Sequence, residues 1–292
     1  MRVRETPNPK RFVGTGKPTT HKIYVGDARL LLGAIPEGSV HLAVTSPPYW
    51  NLKEYPDVEG QLGNQEDLHA FLGEIHKVWK GCFQALVPGG RLCVVVGDVC
   101  LNRKQHGRHR VVPLHAEIIN QCLQVGFDNL APIIWYKIAN CRTEMDRSTY
   151  FLGKPFEPNA IIKNEVEFIL MFRKSGEYRH PTPEQRRHSK LPKEVFFQYF
   201  RQVWDLPGAS TRKHPAPYPE ELAYRLIRMF SFVGDTVLDP FAGTGTTSLA
   251  AARAGRSSVG IEIDPSYVDL CKDRFLKFGL FSTARLEIGS LA

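Results

Sequence analysis

Val237-Leu238-Asp239-Pro240-Phe241-Ala242-Gly243-Thr244-Gly245-Thr246-Thr247 is the stretch that decides the fold of this 292-residue chain. Its apolar start predicts a strand and its two glycines a turn. A helix then carries Ser248 to Arg253 and stops at Gly255. Glycine at 243 and 245 lets the backbone pass close to a ligand, and the following helix N-terminus offers unpaired N–H groups. A second strand, Ser257 to Ile261, ends at Glu262-Ile263-Asp264. An acid at the tip of the second strand, about twenty residues beyond the glycines, is placed to bind ribose hydroxyls. A dinucleotide site is the direct competitor. It is weakened because the turn is Gly-x-Gly with no third glycine at the expected spacing and no phosphate-binding extension.

A second motif lies near the other end of the chain. Val40, Leu42, Ala43 and Val44 predict a buried strand that runs into Thr45-Ser46-Pro47-Pro48-Tyr49, followed by Trp50. Two consecutive prolines cannot continue a sheet ladder, since neither has a backbone N–H. They leave a rigid turn with free carbonyl oxygens, a hydroxyl at Ser46 and an aromatic face at Tyr49. Such a turn suits a flat, amine-bearing molecule; taken alone, it could equally do no more than end a strand.

Between and around the motifs, apolar patterning alternates strand with helix. Strands are expected at Ile23 to Val25, Arg91 to Gly97, Leu130 to Lys137 and Val166 to Arg173. Helices are expected at Ala28 to Ala34, Asp67 to Leu86, Val111 to Val125 and Glu220 to Phe232, with a turn at Pro88-Gly89-Gly90 and a loop from Trp50 to Gly63. This order predicts a doubly wound α/β sheet in which both motifs meet at the C-terminal ends of neighbouring strands. From Gly176 to Lys213 periodicity is lost among Pro181, Pro183, Pro192 and Pro207, and Phe196, Phe197, Tyr199, Phe200 and Trp204 lie among basic residues. That interleaving fits nucleic-acid contact by phosphate pairing and stacking, or a small satellite core.

The formal charge of +8 fits a polyanionic partner. Basic residues gather in the first twenty residues (Arg2, Arg4, Lys10, Arg11, Lys17), around Arg103 to Arg110, and from Lys174 to Lys213. Six scattered cysteines form no Cys-x-x-Cys pair, so a metal site is not expected and buried thiols in a reducing cytoplasm are. No apolar run reaches membrane-spanning length, and Met1-Arg2-Val3-Arg4 leads into polar sequence rather than a signal segment. No Pro-Cys dipeptide occurs, which argues against a cytosine-C5 nucleophile.

Together the two motifs resemble those of S-adenosylmethionine-dependent DNA amino-methyltransferases. The chain is similar to the permuted beta group, with the catalytic motif first and the cofactor motif last. Val25-Gly26-Asp27-Ala28, His214-Pro215-Ala216-Pro217-Tyr218-Pro219 and Ile133-Ile134-Trp135-Tyr136-Lys137 add to the likeness, which covers roughly residues 21 to 280. The resemblance implies a Rossmann-like sheet with circularly permuted motif order. It divides the chain into a basic arm (1–20), a catalytic half (21–140), core-strand end plus target-recognition insertion (141–212) and a cofactor-binding half (213–292). It implies S-adenosyl-L-methionine as cofactor and double-stranded DNA as partner, with a homodimer and a companion restriction endonuclease as further partners to test. Ser46, Pro47, Pro48 and Tyr49 would carry the chemistry. Asp27 would meet the adenine amine, Glu262 the ribose, and Asp239, Phe241, Ala242, Gly243, Thr244, Gly245 and Thr246 the methionine moiety, with His214 closing that end. Asp27 could instead only cap its helix, Glu262 be a surface acid and His214 anchor a turn. In such enzymes Ser-Pro-Pro-Tyr accompanies cytosine N4 and Asp-Pro-Pro-Tyr adenine N6. Adenine N6 and a non-catalytic nucleic-acid-binding module stay open as alternatives.

Overall fold

The apolar runs assemble into one nine-stranded sheet. A computed structural model describes residues 18–50, 55–137, 151–152, 158, 161–162, 164–209, 217–279 and 284–289. Its main strands are β1 (Thr19–Val25), β2 (Val40–Thr45), β3 (Leu86–Val96), β4 (Phe127–Tyr136), β5 (Val166–Lys174), β6 (Val203–Asp205), β7 (Thr236–Asp239), β8 (Ser257–Glu262) and β9 (Ala284–Gly289). They lie in the order β6-β4-β5-β3-β2-β7-β8-β1-β9. All neighbours are parallel except β5, which runs antiparallel to both β3 and β4.

Both faces of the sheet are covered, which is why its central strands read as unbroken apolar runs. In β3, Leu92, Val94 and Val96 enter one core with the helices Ala28–Leu31 (α1), Leu68–Ala85 (α2) and Leu114–Val125 (α3). Cys93 and Val95 point the other way, into a core with the helices Glu220–Phe230 and Thr246–Arg253. α2 starts where Asp67 accepts the Ala70 N–H at 2.7 Å, and α3 stops at Gly126, whose φ of +109° few other residues adopt.

Chain ends meet in this sheet. β2 pairs with β7 from the late half of the chain, Leu42 opposite Val237 and Ala43 opposite Leu238. β1 lies on the far side of β8, with Val25 opposite Glu262. The ends of β2, β7, β8 and β1 therefore stand side by side.

Three local expectations shift. Pro88-Gly89-Gly90 lies within β3 at an irregularity in the β2–β3 register, with Gly89 at φ +73°, so the turn became a bulged strand entry. The third helix begins at Leu114, because Arg110–Val112 pairs with Val99–Leu101 ahead of Pro113. The aperiodic segment holds two short helices, Pro183–Ser189 and Lys193–Tyr199. Its prolines start these helices, Pro183 in the first turn behind a Thr182–Gln185 capping box and Pro192 at the cap of the next.

The direction of β5 matters most for function. It pairs Phe168 with Val96 and Arg173 with Arg91, so it carries the chain from the end of β3 back to its start, about 17 Å at strand rise. The helices 183–189 and 193–199 consequently sit at the start of the parallel strands. There Arg179 pairs with Asp235, and Ser189 Oγ accepts the Val233 N–H at 2.8 Å, both just ahead of β7. β6 then returns to the level of Tyr136. The stretch expected to carry target recognition, 141–212, is thus divided between the two ends of the sheet. His214, residues 1–17 and residues 141–150 lie outside the described residues.

Candidate active site

A cavity opens at the ends of those four adjacent strands. Gly26 to Ala28 line it after β1, Ser46 to Pro48 after β2, Pro240 and Phe241 after β7, and Ile261 to Ile263 with Tyr267 around the end of β8. Tyr55 and Gly60 to Leu62 close it from the loop that follows the Ser46 motif. The two motifs, about 190 residues apart, thus share one cavity at a point where the sheet's two halves join, the usual ligand position in such sheets. A larger hollow, about 480 Å³, lies at the opposite end among Arg91, Arg179, Phe230 and Phe232, and touches neither motif.

The glycine turn is built as its sequence predicts. Gly243 and Gly245 have φ of +51° and +79°. A Cβ on Gly245 would lie 2.3 Å from Cys271 Sγ, so the helix Pro265–Gly279 packs directly on the turn. Arg274 Nη1 braces it by donating to Thr244 O at 2.7 Å, Thr244 Oγ1 at 2.9 Å and Thr246 Oγ1 at 3.0 Å. Of the expected cofactor residues in this turn, Phe241, beside Pro240, lines the cavity, whereas Ala242, Gly243, Thr244, Gly245 and Thr246 stand outside its lining.

Glu262 is buried at that wall. One carboxylate oxygen accepts the Gly243 N–H at 2.6 Å and the other accepts the Asp264 N–H at 3.0 Å. Burial pushes its carboxyl up to about 7, against the pull of those two N–H groups. Asp27 bears out its reading as a helix cap and stands in the cavity lining. It caps the short helix Ala28–Leu31 by accepting the Arg29 N–H at 2.8 Å. The Arg29 guanidinium clasps Asp27, pairs with Glu74 and donates to Gly60 O at 3.2 Å, tying the roof loop to the wall.

Asp239 stands elsewhere than its cofactor reading implied. It is 1% exposed, and its carboxylate is spent on protein donors. Thr45 Oγ1 reaches Oδ1 at 2.7 Å and the Phe241 N–H reaches the same oxygen at 3.1 Å. Thr247 Oγ1 at 2.5 Å and the Tyr218 hydroxyl at 3.1 Å reach Oδ2. Asp239 therefore bolts the Ser46 turn to the glycine turn.

Tyr49 is likewise inward, 6% exposed and part of the α2-side core. Its hydroxyl donates to Glu167 Oε2 at 2.9 Å and accepts from Ser46 Oγ at 3.2 Å. The tyrosine of this segment that lines the cavity is Tyr55, seated on Gly63, where a Cβ would come within 2.2 Å of it. Trp50 follows at φ +46°, a strained conformation for a bulky residue. Glu167, Arg29, Tyr55 and Tyr267 were not legible as site residues. Glu167 joins it from a strand 118 residues beyond Tyr49, and Tyr55 from a loop without periodicity, while Arg29 and Tyr267 sit on helices that follow Asp27 and Glu262 and carry no motif of their own.

Among the described residues, the lining contains two carboxylates and no Lys or Arg. That set fits a cationic nucleoside with free hydroxyls, as S-adenosyl-L-methionine is, and offers nothing to a pyrophosphate. Among the described residues no group of three His, Cys, Asp or Glu could hold a metal, and no helix is long and apolar enough to cross a membrane.

Known proteins share this arrangement. The family model described as DNA methylase, covering the N6 and N4 enzymes, matches residues 40–273. The Type II methyltransferase M.MjaI of Methanocaldococcus jannaschii is 37% identical over 286 residues, spanning 88% of this chain and 91% of that protein. M.MthZI of Methanothermobacter thermautotrophicus is 38% identical over 280 residues, spanning 88% and 76%. Among solved structures, the putative DNA modification methylase TTHA0409 of Thermus thermophilus, complexed with S-adenosyl-L-methionine, superposes with a TM-score of 0.77 at 51% identity, covering 93% of this chain and 100% of that one. The cytosine-N4-specific PvuII DNA methyltransferase shares the fold, with a TM-score of 0.61 at 24% identity over 91% of this chain and 90% of that one.

Proposed function

The chain belongs to the N6/N4 DNA methylase family and is an S-adenosylmethionine-dependent DNA methyltransferase; from that premise we propose that it methylates the exocyclic N4 of cytosine in double-stranded DNA. The observation that carries the reading is the shared cavity, in which Ser46 and Pro47 face the wall built by Phe241 and Glu262.

Glu262, Phe241 and Asp27, with Ile263 and Tyr267, are the residues that would hold the cofactor. When bound, it supplies an electrophilic methyl group on a sulfonium. The protein's own task is the acceptor. An exocyclic amine is a weak nucleophile because its lone pair is delocalised into the ring. Acceptors on its two N–H groups favour a pyramidal nitrogen and free that pair. Ser46 Oγ and the Pro47 carbonyl supply them, and the Pro48 ring restricts the direction of that carbonyl. A base must leave the duplex stack to reach a cavity at strand ends, so flipping accompanies the reaction. Transfer is direct, and among the described residues no thiol lines the cavity for covalent chemistry: the cysteines at 82, 93, 122 and 271 are buried in the cores.

The serine at 46 favours cytosine, since Ser-Pro-Pro-Tyr motifs resemble those that accompany N4 transfer. The similarity to Type II methyltransferases supports a restriction-modification setting, and a companion endonuclease is part of the proposal. Target recognition is assigned to the sequence between Lys137 and Val166 and to that after Asp205, because these anchor points lie at the cavity end of the sheet. Digestion of methylated DNA with nucleoside mass spectrometry tests the base assignment. N4-methylcytosine is expected, and N6-methyladenine alone would overturn it.

A further inference from the structure

We propose that Glu167 is a positioning residue that fixes Ser46 as a hydrogen-bond acceptor, acting through Tyr49. The inference rests on the reading that Ser46 takes the substrate amine. Glu167 lies buried in β5 between two donors, Lys137 Nζ on Oε1 and the Tyr49 hydroxyl on Oε2. Lys137 is itself held over the Trp135 ring, 4.5 Å from its centroid. Gly97 makes room for this acid, since a Cβ there would lie 3.1 Å from Glu167 Cγ.

The logic is directional. An ionised carboxylate only accepts hydrogen bonds, and a hydroxyl has one hydrogen to give. Lys137 pairs with Glu167 as ammonium with carboxylate, so Tyr49 must donate to it. The Tyr49 oxygen is then an acceptor, and Ser46 Oγ donates to it. The single Ser46 hydrogen is committed inward, and what the cavity meets is a pair of lone pairs. A free serine hydroxyl could turn its hydrogen towards the amine nitrogen and occupy the very electrons that must attack the methyl group. Burial, followed by the neighbouring Glu167 charge, pushes the Tyr49 hydroxyl well above its ordinary range, so it stays a donor throughout. Ser46 lines the cavity whereas Tyr49 and Glu167 do not. The carboxylate therefore sets the polarity of the chain of hydrogen bonds without touching the base.

Glu167→Gln tests this. The amide can accept from Lys137 and turn its NH2 to Tyr49, which reverses both hydroxyls and presents the Ser46 hydrogen to the cavity. We expect kcat to fall roughly 10²-fold, with cofactor affinity unchanged by calorimetry. Tyr49→Phe, which cuts the relay, should lose a similar factor, and the double variant should be no slower than the worse single one. A readout independent of turnover is the ring-carbon resonance bearing the Tyr49 hydroxyl in 13C-tyrosine-labelled protein. It should shift in Glu167→Gln, as the hydroxyl changes donor for acceptor partners. Wild-type kcat in Glu167→Gln, or losses that multiply in the double variant, would overturn the proposal. If Glu167→Gln fails to fold, Tyr49→Phe at wild-type kcat would overturn it equally. All rates are measured on whichever amine the wild-type enzyme methylates. An adenine product therefore defeats the cytosine assignment and leaves the relay standing.

Discussion

With the cofactor ribose placed on Glu262 as proposed, cofactor binding should depend on pH. The Glu262 carboxyl is moved by burial from 4.5 to about 7, a difference of about 3 kcal/mol between its protonation states. The folded protein thus holds a proton that the unfolded chain has released. Between about pH 4.5 and pH 7 the ligand-free protein loses stability as pH rises, and above about pH 7 that loss is complete. Ribose hydroxyls donating to this carboxylate would reverse the balance, because they favour its ionised form and restore what burial took away. S-adenosylmethionine affinity should therefore rise with pH, by at most about tenfold per pH unit, from about pH 5 to pH 7, and then level off. Isothermal titration calorimetry in buffers of different ionisation enthalpy reads both the affinity and the release of up to about one proton per site at about pH 6. Glu262→Gln should remove the slope, and its ligand-free melting temperature should not show the decline across the same window. A wild-type affinity that is flat across this window, or that falls with rising pH, would refute the placement of ribose on Glu262.

Other perturbations follow from the same geometry. Ser46→Ala should cut turnover by roughly 10²-fold while leaving cofactor affinity intact; equal loss of both in a folded protein would contradict its role as amine acceptor. Gly245→Ala should cost about 2–3 kcal/mol in urea unfolding, combining a positive φ with a Cβ 2.3 Å from Cys271 Sγ. Cys271→Ala added to it should recover part of that loss, and simple additivity would show that the sulfur contact is not the cause. Asp239→Asn should be tolerated within about 1 kcal/mol, since an amide can accept from Thr45 and Phe241 and donate to rotated hydroxyls of Thr247 and Tyr218. Asp239→Ala, which takes from Thr45 Oγ1 and the Phe241 N–H the acceptor they share, should cost about 3 kcal/mol or more by the same measurement.

The sheet was legible because its strands are buried on both faces and so read as continuous apolar runs, as in Val40 to Val44 and Leu92 to Val96. The cavity wall was legible where function and local backbone coincide. Ser46, Pro47, Pro48, Phe241 and Glu262 sit at strand ends marked by prolines, glycines or a lone acid. What the sequence concealed is long-range. Glu167 meets Tyr49 across 118 residues and Arg29 meets Glu74 across 45, with nothing local to announce either contact. The helix Pro265–Gly279 did carry a start signal, Asp264 followed by Pro265, and Asp264 Oδ1 does accept the Ser266 N–H at 2.8 Å. Tyr49 and Asp239 stand in motifs that imply ligand contact, and the structure shows both buried behind the cavity lining, with their polar atoms on protein partners.

That alignment explains why so much polar chemistry is buried beneath a small cavity. Methyl transfer in line demands that acceptor and donor be held within a fraction of an ångström, and misplacement is costly in rate. The acceptor hangs on β2 and the donor's support on β7, strands brought together only by the final fold. Backbone pairing fixes their register but leaves the turns beyond Thr45 and Asp239 free to splay. Asp239 removes that freedom, because it takes Thr45 from one turn and Phe241 and Thr247 from the other, across a sequence separation of 194 residues. Glu167 does the corresponding work for orientation, fixing which way the hydroxyls of the acceptor turn face. Two carboxylates outside the cavity lining thus act on the two quantities the reaction depends on, the distance between the motifs and the polarity of the acceptor.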